Sequence, residues 1–310
     1  MIGALDKPTE GKVFTMSSFN PIYRLYSDIY HYVCSKSHHL FVLEEALMRL
    51  YIVRKSTNPL FINGRKMNVH LKDPGISTEL TLFRVHEPVS TQILIKSLKS
   101  GSFCLEVGAN MGYYTLLMSG LIGKEGKLLT VEPHPENFNM LLTNVSMNNL
   151  RNVECFNLAC SNYEGYGKMK VMPQSNWHRL DVDNKGDLQV EVTKVDILTK
   201  EVERLDFMRM DVEGHEAKVI EGSHKTIENL RPSLFLEFHP TLLGKDSTLK
   251  LLKRLKDYGY EIDYFIPRFL DVPLIGKISH ARKITIEQYM NRIEKADKIE
   301  GREANVFLST

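Results

Sequence analysis

Residues 103–114 of the chain read FCLEVGANMGYY. The first five residues are mostly apolar and predict a buried strand, and the glycines that follow predict a tight turn into a helix. Gly108 permits the turn, while Gly112 lets the first helical turn approach a ligand closely with free backbone amides at its N-terminus. The stretch therefore predicts a nucleotide-like ligand at the end of a strand.

The glycine spacing and the charge of this turn narrow the choice of ligand. A dinucleotide-binding turn reads G-x-G-x-x-G and closes on a pyrophosphate, whereas here three residues separate Gly108 from Gly112. Glu106 adds a carboxylate, which repels phosphate and attracts an ammonium or sulfonium group. Glu132 follows the predicted strand Lys127–Val131. Its separation in sequence from the glycine turn is typical of a carboxylate that binds a ribose diol. S-adenosylmethionine carries both cations and a ribose, so we expect it as the cofactor.

Length and composition exclude several classes of protein. The chain has 310 residues, of which 43% are hydrophobic, enough for a large core with an appendage. Its 40 basic and 38 acidic residues nearly balance, so no general attraction to nucleic acid or membrane is expected. The four cysteines form no C-x-x-C pair, which argues against a zinc site and for a reducing compartment. Without a membrane-spanning run or a signal pattern, we predict a cytoplasmic protein.

The region from about residue 96 to 265 alternates strands and helices, which predicts an α/β fold with a mostly parallel twisted sheet covered on both faces. The predicted strands are Phe103–Val107, Lys127–Val131, Val153–Asn157, Phe207–Met210, Leu234–Phe238 and Glu261–Phe265. The predicted helices are Tyr113–Leu121, Pro135–Asn148, His215–Asn229 and Thr248–Tyr258.

Residues 1–95 predict an N-terminal helical and extended appendage, with a long helix from Pro21 to about Arg54. The apolar stripes of this helix favour packing on the main domain or on a second copy in a homodimer, with a lid over the substrate as the alternative. Residues 96–310 are predicted to form the main domain. It carries an inserted hairpin near 166–192 and a C-terminal insertion near 267–300, and its last strand, Ala304–Leu308, is expected to pair at the sheet edge.

A first polar cluster, Glu132-Pro133-His134-Pro135-Glu136-Asn137, lies just past a predicted strand, where α/β sheets bind ligands. Glu132 is the candidate for the ribose diol, Pro133 stiffens the turn, and Asn137 lies in the first turn of the next helix. The alternative is a proline-stiffened loop with a carboxylate that faces solvent.

A second polar cluster, Asp211-Val212-Glu213-Gly214-His215-Glu216, follows another apolar strand. Asp211 is expected to face the transferred methyl group or, together with Glu213, a divalent ion such as Mg²⁺. His215 titrates near neutrality and is a natural proton acceptor. The alternative is that the two glutamates favour the positive end of the following helix.

Two further clusters complete the predicted site. Glu237 and His239 alternate on a strand and point to the same side, so with Asp211 and His215 they can enclose one reaction centre. The alternative for this pair is hydrogen bonding to a loop. Trp177, the only tryptophan, precedes His178 and Arg179 in a polar loop and suits a sugar ring, a base or a phosphate, or else packs on the inserted hairpin.

Three motifs in this order resemble the FkbM family of S-adenosylmethionine-dependent methyltransferases: EVGANMGYYT at 106–115, EPHPEN at 132–137 and DFMRMDVEGHE at 206–216. The resemblance covers about residues 78–240 and implies a class I (Rossmann-like) methyltransferase fold. Glu106 stands where aspartate is commoner, and Arg209 where lysine is frequent. The cofactor-binding residues that it implies are Glu106, Gly108, Asn110, Gly112 and Tyr113, then Glu132, Pro133 and Asn137, and finally Asn157 and Ala159 on the adenine side.

We therefore predict in-line O-methylation of a sugar or glycosylated metabolite, with Asp211, His215, Glu237 and His239 supplying a histidine/carboxylate general base. The acceptor is expected to be a small molecule or glycan. One alternative is RNA methylation, with Trp177 stacking on a base and Arg179 contacting a phosphate. Another is a non-catalytic cofactor-binding scaffold whose N-terminal helices recruit a partner.

Overall fold

The computed structural model describes residues 58–71, 73, 75–181, 185–273, 276–296 and 303–310 of the chain. The predicted helix from Pro21 to Arg54 lies outside these residues. It stays a prediction, as does the homodimer contact that it would provide. The domain boundary near residue 95 likewise stays a prediction, because residues 1–57 are not described.

Seven strands of the described chain form one mostly parallel sheet, which confirms the predicted α/β class. The strands of the structure are β1 (Leu60–Ile62), β2 (Arg65–Met67), β3 (Phe103–Val107), β4 (Lys127–Val131), β5 (Val153–Phe156), β6 (Ala159–Cys160), β7 (Gly165–Lys170), β8 (Arg179–Leu180), β9 (Leu188–Thr193), β10 (Phe207–Met210), β11 (Ser233–Phe238), β12 (Glu261–Pro267) and β13 (Ala304–Ser309). The sheet order is β12-β13-β11-β10-β3-β4-β5, and the neighbouring pairs from β11 to β5 are all parallel.

Helices pack on this sheet. They are α1 (Ile76–Phe83), α2 (Pro88–Ser97), α3 (Tyr113–Ile122), α4 (Pro135–Met147), α5 (Val195–Leu198), α6 (Glu216–Glu221), α7 (His224–Leu230), α8 (Pro240–Leu243), α9 (Lys245–Asp257) and α10 (Ile286–Glu294). None of these helices, within the ranges that the structure describes, is both long enough and apolar enough to cross a membrane.

The single helix predicted over His215–Asn229 is wrong, because the chain breaks between α6 and α7. A Cβ atom on Gly222 would overlap the backbone carbonyl oxygen of Ser161. The carbonyl of Gly222 also accepts a hydrogen bond from the amide of Asp196, at 3.0 Å. The Ser161 backbone thus occupies the space beside Gly222, and the Asp196 amide takes the hydrogen bond of the Gly222 carbonyl. A continuous helix would need both.

Side chains alternate between the two faces of the sheet, and this alternation decides where charged residues point. On β3, Leu105 and Val107 belong to the core that includes α6, α7 and α9, whereas Cys104 faces the core that includes α3. Glu106 faces the same way as Cys104. Arg209 on β10 is paired in register with Glu106. A carboxylate and a guanidinium are thus neighbours inside the sheet.

Residues 58–97 pack on the same side as α3. Strands β1 and β2 form a hairpin whose turn residues, Asn63 and Gly64, both have positive φ, as an Asn-Gly turn requires. Helix α2 buries Ile93 in the core shared with β3 and α3. Neither α1 nor α2 is among the elements predicted from the sequence, although Pro88 at the first position of α2 is a helix-start signal.

Two features concern the predicted insertions. Strands β7 and β9, where the hairpin near 166–192 is predicted, pair antiparallel within a separate four-stranded sheet of order β6-β9-β7-β8. The prediction that Ala304–Leu308 pairs at the sheet edge is wrong, because β13 lies between β11 and β12 and β12 is the edge strand. Residues Ala304 to Leu308 are all buried, which is what an interior strand requires.

Asp271 ties the C-terminal part of the chain to the start of α2. Its fully buried carboxylate accepts hydrogen bonds from the amides of Val89, at 2.7 Å, and Ser90, at 3.2 Å, and from the Ser90 hydroxyl. Asn305 on β13 donates a further hydrogen bond to it at 3.1 Å. The carboxylate therefore satisfies first-turn amides that have no partner within their own helix.

We expect Asp271→Asn to lower the free energy of unfolding by about 2–3 kcal/mol, because the side-chain amide places a donor against donors in a buried site. Urea denaturation measures this change. The control Asp257→Asn, at an exposed position, is expected to leave stability unchanged. Equal stability of both variants would show that the hydrogen bonds of the Asp271 carboxylate contribute nothing to the free energy of unfolding.

Candidate active site

A cavity of about 510 Å³ opens at the carboxyl ends of β3, β4, β10 and β11, the edge at which parallel sheets bind ligands. Most of the residues predicted for the site line this one cavity. They are Gly108, Asn110, Tyr113, Glu132, Pro133, Asn137, Ala159, Trp177, His178, Arg179, Asp211, Glu213, His215, Glu237 and His239.

The turn between β3 and α3 forms one wall of the cavity. Gly108 has a φ of +87°, a conformation that favours glycine, and a Cβ atom on it would overlap the backbone carbonyl oxygen of Asp211. The turn therefore lies directly against the end of β10. A ligand on the Gly108 turn and a reactant at Asp211 would be immediate neighbours.

Glu132 lies at the end of β4, beside this turn. Its two carboxylate oxygens accept hydrogen bonds from the amides of Asn110, at 2.7 Å, and His134, at 2.9 Å. Burial raises the pKa of Glu132 to about 7, against the lowering effect of these amides. The Asn137 side chain also interacts with this carboxylate. Because a carboxylate can accept about four hydrogen bonds, it keeps capacity for a hydroxyl of a diol. The site therefore fits the ribose of the expected cofactor.

Three of the predicted cofactor residues do not line the cavity. Gly112, whose φ is +95°, begins α3 and packs beside Leu141, and it serves the turn itself. Asn157 donates hydrogen bonds to the backbone carbonyls of Glu132, at 2.8 Å, and Pro133, at 3.1 Å, so it supports the loop that holds the diol carboxylate.

The third, Glu106, points into the protein instead of toward the ligand, because it alternates with Val107 on β3. Its fully buried carboxylate accepts hydrogen bonds from the hydroxyls of Thr115, at 2.5 Å, and Thr130, at 3.2 Å. The direct contact predicted between Glu106 and the amino group of the cofactor is therefore absent from this geometry.

Arg209 connects Glu106 to the cavity. Its guanidinium lies 3.4 Å from a Glu106 oxygen, 3.0 Å from Asp211 Oδ2 and 3.1 Å from the Gly108 carbonyl oxygen. Burial lowers the pKa of Arg209, but the Asp211 and Glu106 carboxylates outweigh this and raise it. The Tyr114 ring lies 4.1 Å from the guanidinium carbon and covers one of its faces. The sequence signal for this pair is a single arginine within one apolar strand and a single carboxylate within another.

Asp211 and Glu213 are carboxylates of the cavity whose pKa values are raised to near neutrality. Burial, and then the nearby Glu237 carboxylate, raise the pKa of Asp211 to about 7, against the lowering effect of Arg209. Burial likewise raises the pKa of Glu213 to about 8 despite the proximity of His239. Asp211 Oδ1 is buried and has no hydrogen-bond partner among the described residues. Such a group is poised to exchange a proton near neutral pH.

His239 is held between carboxylates. Its Nδ1 lies 2.6 Å from Glu216, and its Nε2 lies 3.5 Å from both Glu213 and Glu237. Burial lowers the pKa of His239, but these carboxylates outweigh it and raise the pKa well above its ordinary value. The ring is therefore an imidazolium at neutral pH, with carboxylates at both nitrogens.

His215 has the opposite character. Burial lowers its pKa to about 4, so the ring is neutral near pH 7. Its Nε2 lies 2.9 Å from the Ser161 hydroxyl, and its buried Nδ1 has no hydrogen-bond partner in the part of the chain that the structure describes. It lines the same cavity as His239 but makes no hydrogen bond to the Asp211 group.

Arg268 lies outside the motifs of the sequence analysis and forms the far wall of the cavity. Its Nε lies 2.8 Å from Glu237 and 3.3 Å from Glu87, a fully buried glutamate that precedes α2. Burial raises the pKa of Glu237, but the Arg268 guanidinium outweighs it and holds the pKa well below its usual range. No local sequence pattern links residues so far apart, so only the fold reveals this cluster.

Trp177, His178 and Arg179 line the cavity on the side of the four-stranded sheet. Trp177 is half-exposed and belongs to a short 3-10 turn, Ser175–Trp177. The His178 ring packs at 4.0 Å on the ring of His134, and burial lowers its pKa to about 4.

A divalent ion does not fit the cluster of carboxylates and histidine that contains Asp211, one of the two predicted metal ligands. The other, Glu213, is not part of this cluster among the described residues. Asp211, Glu237 and His239 bring ligand atoms to within 4.8 Å of one another. Each is already engaged, however: Asp211 with Arg209, Glu237 with Arg268, and His239 as an imidazolium. A cation here would meet three positive charges, so no step is derived through a metal.

The seven-stranded sheet, the glycine turn after β3 and the Glu132 carboxylate after β4 are the features of a class I methyltransferase fold. The model of the FkbM methyltransferase domain matches residues 106–262, half of the chain, and this protein belongs to that family of S-adenosylmethionine-dependent methyltransferases. No curated protein sequence matches the chain.

Solved structures of methyltransferases show weak similarity. An FkbM methyltransferase from Methylobacillus flagellatus is 12% identical, with 87% of this chain and 60% of that chain covered and a TM-score of 0.40. An rRNA methylase from Streptococcus thermophilus is 12% identical over 71% and 93% of the two chains, with a TM-score of 0.41. Aeropyrum pernix fibrillarin, bound to S-adenosylmethionine, is 16% identical over 71% and 73%, with a TM-score of 0.39. At these scores nothing about the substrate is inferred.

We expect Glu132→Gln to weaken S-adenosylmethionine binding by about 10- to 100-fold, because the diol loses a charged acceptor. In the wild type the dissociation constant should fall as pH rises through about 7, since the ionised carboxylate accepts a hydrogen bond from the diol. The variant should lose this pH dependence. Isothermal titration calorimetry measures both, and Glu136→Gln, an exposed neighbour, is the control. Unchanged affinity in Glu132→Gln would refute the assigned role.

Proposed function

We propose that this protein methylates a hydroxyl group of a sugar or glycosylated metabolite, with Asp211 as the general base. The observation that carries the proposal is the Asp211 carboxylate: it lines the cavity, has a pKa near 7 and keeps one oxygen without a partner among the described residues. The bound cofactor would supply a methyl group on a sulfonium: a nucleophile bonds to the methyl carbon in line with the C–S bond, and the thioether leaves.

The chain's own residues then have four tasks. The Gly108 turn and Glu132 hold the donor, and their contact with the end of β10 sets it beside Asp211. The Asp211 carboxylate accepts the proton of the acceptor hydroxyl as the hydroxyl oxygen attacks. Arg209, bound to Oδ2, keeps the carboxylate oriented. Alignment of donor and acceptor in a partly dry cleft supplies much of the rate enhancement.

The two histidines predicted as proton acceptors receive other roles in this proposal. His239 is already protonated and has carboxylates at both nitrogens, so it has no free lone pair. Its positive charge instead balances Glu216 and Glu237. His215 has a pKa of about 4, too low for an effective base near neutral pH, and Ser161 orients its ring. A carboxylate base therefore replaces the predicted histidine base.

The acceptor side of the cavity favours a neutral polyol. Glu213, Glu237 and Arg268 offer both hydrogen-bond acceptors and donors around Asp211, and their charges are largely paired with one another and with His239. Hydroxyl groups can bond to either kind of partner. A polyanionic RNA backbone would instead meet the ionised carboxylate of Glu237 and the partly ionised carboxylate of Asp211, so RNA stays the second choice.

Incubation with methyl-labelled S-adenosylmethionine and separate glycan, small-metabolite, lipid and RNA fractions tests the acceptor class. The proposal expects label in a base-stable ether on the glycan or small-metabolite fraction. Label in RNA alone would contradict it. Cofactor binding without transfer to any fraction would favour the scaffold alternative.

We expect Asp211→Asn to lower kcat by about 10²- to 10⁴-fold, the usual contribution of a general base. Wild-type kcat/KM should rise as pH increases through about 7, because Asp211 must be ionised to accept a proton, and the variant should lack this rise. Rapid-quench assays across pH measure both. Cofactor affinity should stay within about threefold of wild type. Asp246→Asn, exposed on α9, is the control, and a variant with wild-type turnover would refute the base assignment.

Chelation tests independently whether turnover requires a metal ion. Because the carboxylates and His239 are engaged with one another and with guanidinium groups, we expect excess EDTA to leave turnover unchanged and added Mg²⁺ not to stimulate it. Loss of activity with EDTA and recovery with Mg²⁺ would contradict this and show that turnover requires a divalent ion.

A further inference from the structure

Two exposed aromatic side chains lie on the rim of the active-site cavity, on separate turns. Phe269 is 64% exposed and belongs to the 3-10 turn Arg268–Leu270 that follows β12. Trp177 is 46% exposed and belongs to the 3-10 turn Ser175–Trp177 of the four-stranded sheet. Both line the cavity, and Phe269 lies outside every sequence motif.

The turn that carries Trp177 is anchored by buried polar contacts. The Asp73 carboxylate, which is buried, accepts hydrogen bonds from the Ser175 amide and from the Ser175 hydroxyl, both at 2.9 Å. The side chain of Asn137 donates to the Ser175 carbonyl at 2.9 Å. The exposed tryptophan thus projects from a fixed turn.

The turn that carries Phe269 is anchored in the same way. Arg268, its neighbour in sequence, bonds at 2.8 Å to Glu237, which lines the cavity. Asp271, fully buried, binds the first-turn amides of α2. An exposed aromatic ring on a turn fixed at both sides is held in place before any ligand arrives, which lowers the entropy cost of binding.

The lining of the cavity combines polar and apolar side chains. Asp211, Glu213 and Glu237 supply polar groups, and Ile76, Met169 and Val272 line the same cavity as the two aromatic rings. A ligand that fits this lining has several hydroxyls and a flat apolar face. A pyranose ring has this form, because its axial C–H groups make an apolar face with partial positive charge, which packs on the negative face of an aromatic ring.

We propose that Phe269 and Trp177 form the acceptor platform, which binds the C–H face of a pyranose ring while Asp211 receives the proton of the ring's hydroxyl. This inference rests on the proposed function and adds the residues that select the acceptor. A phenol has a single hydroxyl, so most of the polar side chains that line the cavity would have no hydrogen-bond partner on it. A sugar, with several hydroxyls, is therefore the better match.

Trp177 provides the readout, because it is the only tryptophan in the chain and its emission reports on the platform alone. The enzyme is saturated with S-adenosylhomocysteine and titrated with the methyl glycosides of glucose, galactose and mannose, with phenol and with a trinucleotide. We expect a saturable emission shift with at least one glycoside. Phe269→Ala should raise the midpoint at least about fivefold, and Phe269→Tyr, which keeps the ring, should restore it.

Phe61→Ala is the matched control, because Phe61 is 63% exposed and does not line the cavity, and it should leave the midpoint unchanged. A midpoint that is the same in wild type and Phe269→Ala, or no shift with any ligand, would overturn the platform. Methyl transfer to the same ligands is measured separately with labelled cofactor. A shift with phenol alone that needs Phe269 would keep the platform and refute the sugar. Transfer to a glycoside without a Phe269 effect would keep the function and refute the platform.

Discussion

The buried guanidinium of Arg209 is the interaction on which the site depends. It joins Glu106 on β3 to Asp211 after β10 and also donates to the Gly108 carbonyl, so the donor turn and the proposed base are fixed to one cation. Three charged groups in a sheet interior cost several kcal/mol each in desolvation unless they are paired. Among the described residues, Arg209 Nε and Asp211 Oδ1 are buried atoms of this cluster that have no hydrogen-bond partner. The geometry of the reaction centre thus follows from how a buried charge is neutralised.

Burial, together with the surrounding charges, explains why Asp211 and Glu213, and not the histidines, titrate near neutral pH. The carboxylates of Asp211, Glu213 and Glu237 compete for the positive charge of Arg268 and His239, and Glu237 receives the closest guanidinium contact. Glu237 therefore stays ionised, while Asp211 and Glu213 bind protons more readily. Groups in such a cluster titrate together, so an observed pKa near 7 describes the cluster as a whole and not one residue.

Much of the donor half could be predicted from the sequence, because its determinants are local. Gly108, Asn110 and Glu132 lie in short motifs whose spacing alone dictates a strand, a turn and a carboxylate at a sheet edge. Glu106 was assigned to the ligand because its motif lies at a strand end, but strand alternation turns it inward. The His239 pairing could not be predicted, since it depends on the fold of the turn at Glu213, whose φ is +50°. Arg268 and Phe269 come from the segment after β12, far from any motif.

The central claim is that Asp211 receives the acceptor's proton directly in front of the donor turn. A crystal structure of the ternary complex with S-adenosylhomocysteine and the acceptor identified by labelling tests it most directly. The account predicts the acceptor hydroxyl oxygen within about 2.6–3.2 Å of an Asp211 carboxylate oxygen, the reach of a general base. A hydroxyl oxygen bonded to His215, or one that lies beyond reach of Asp211, would contradict the account.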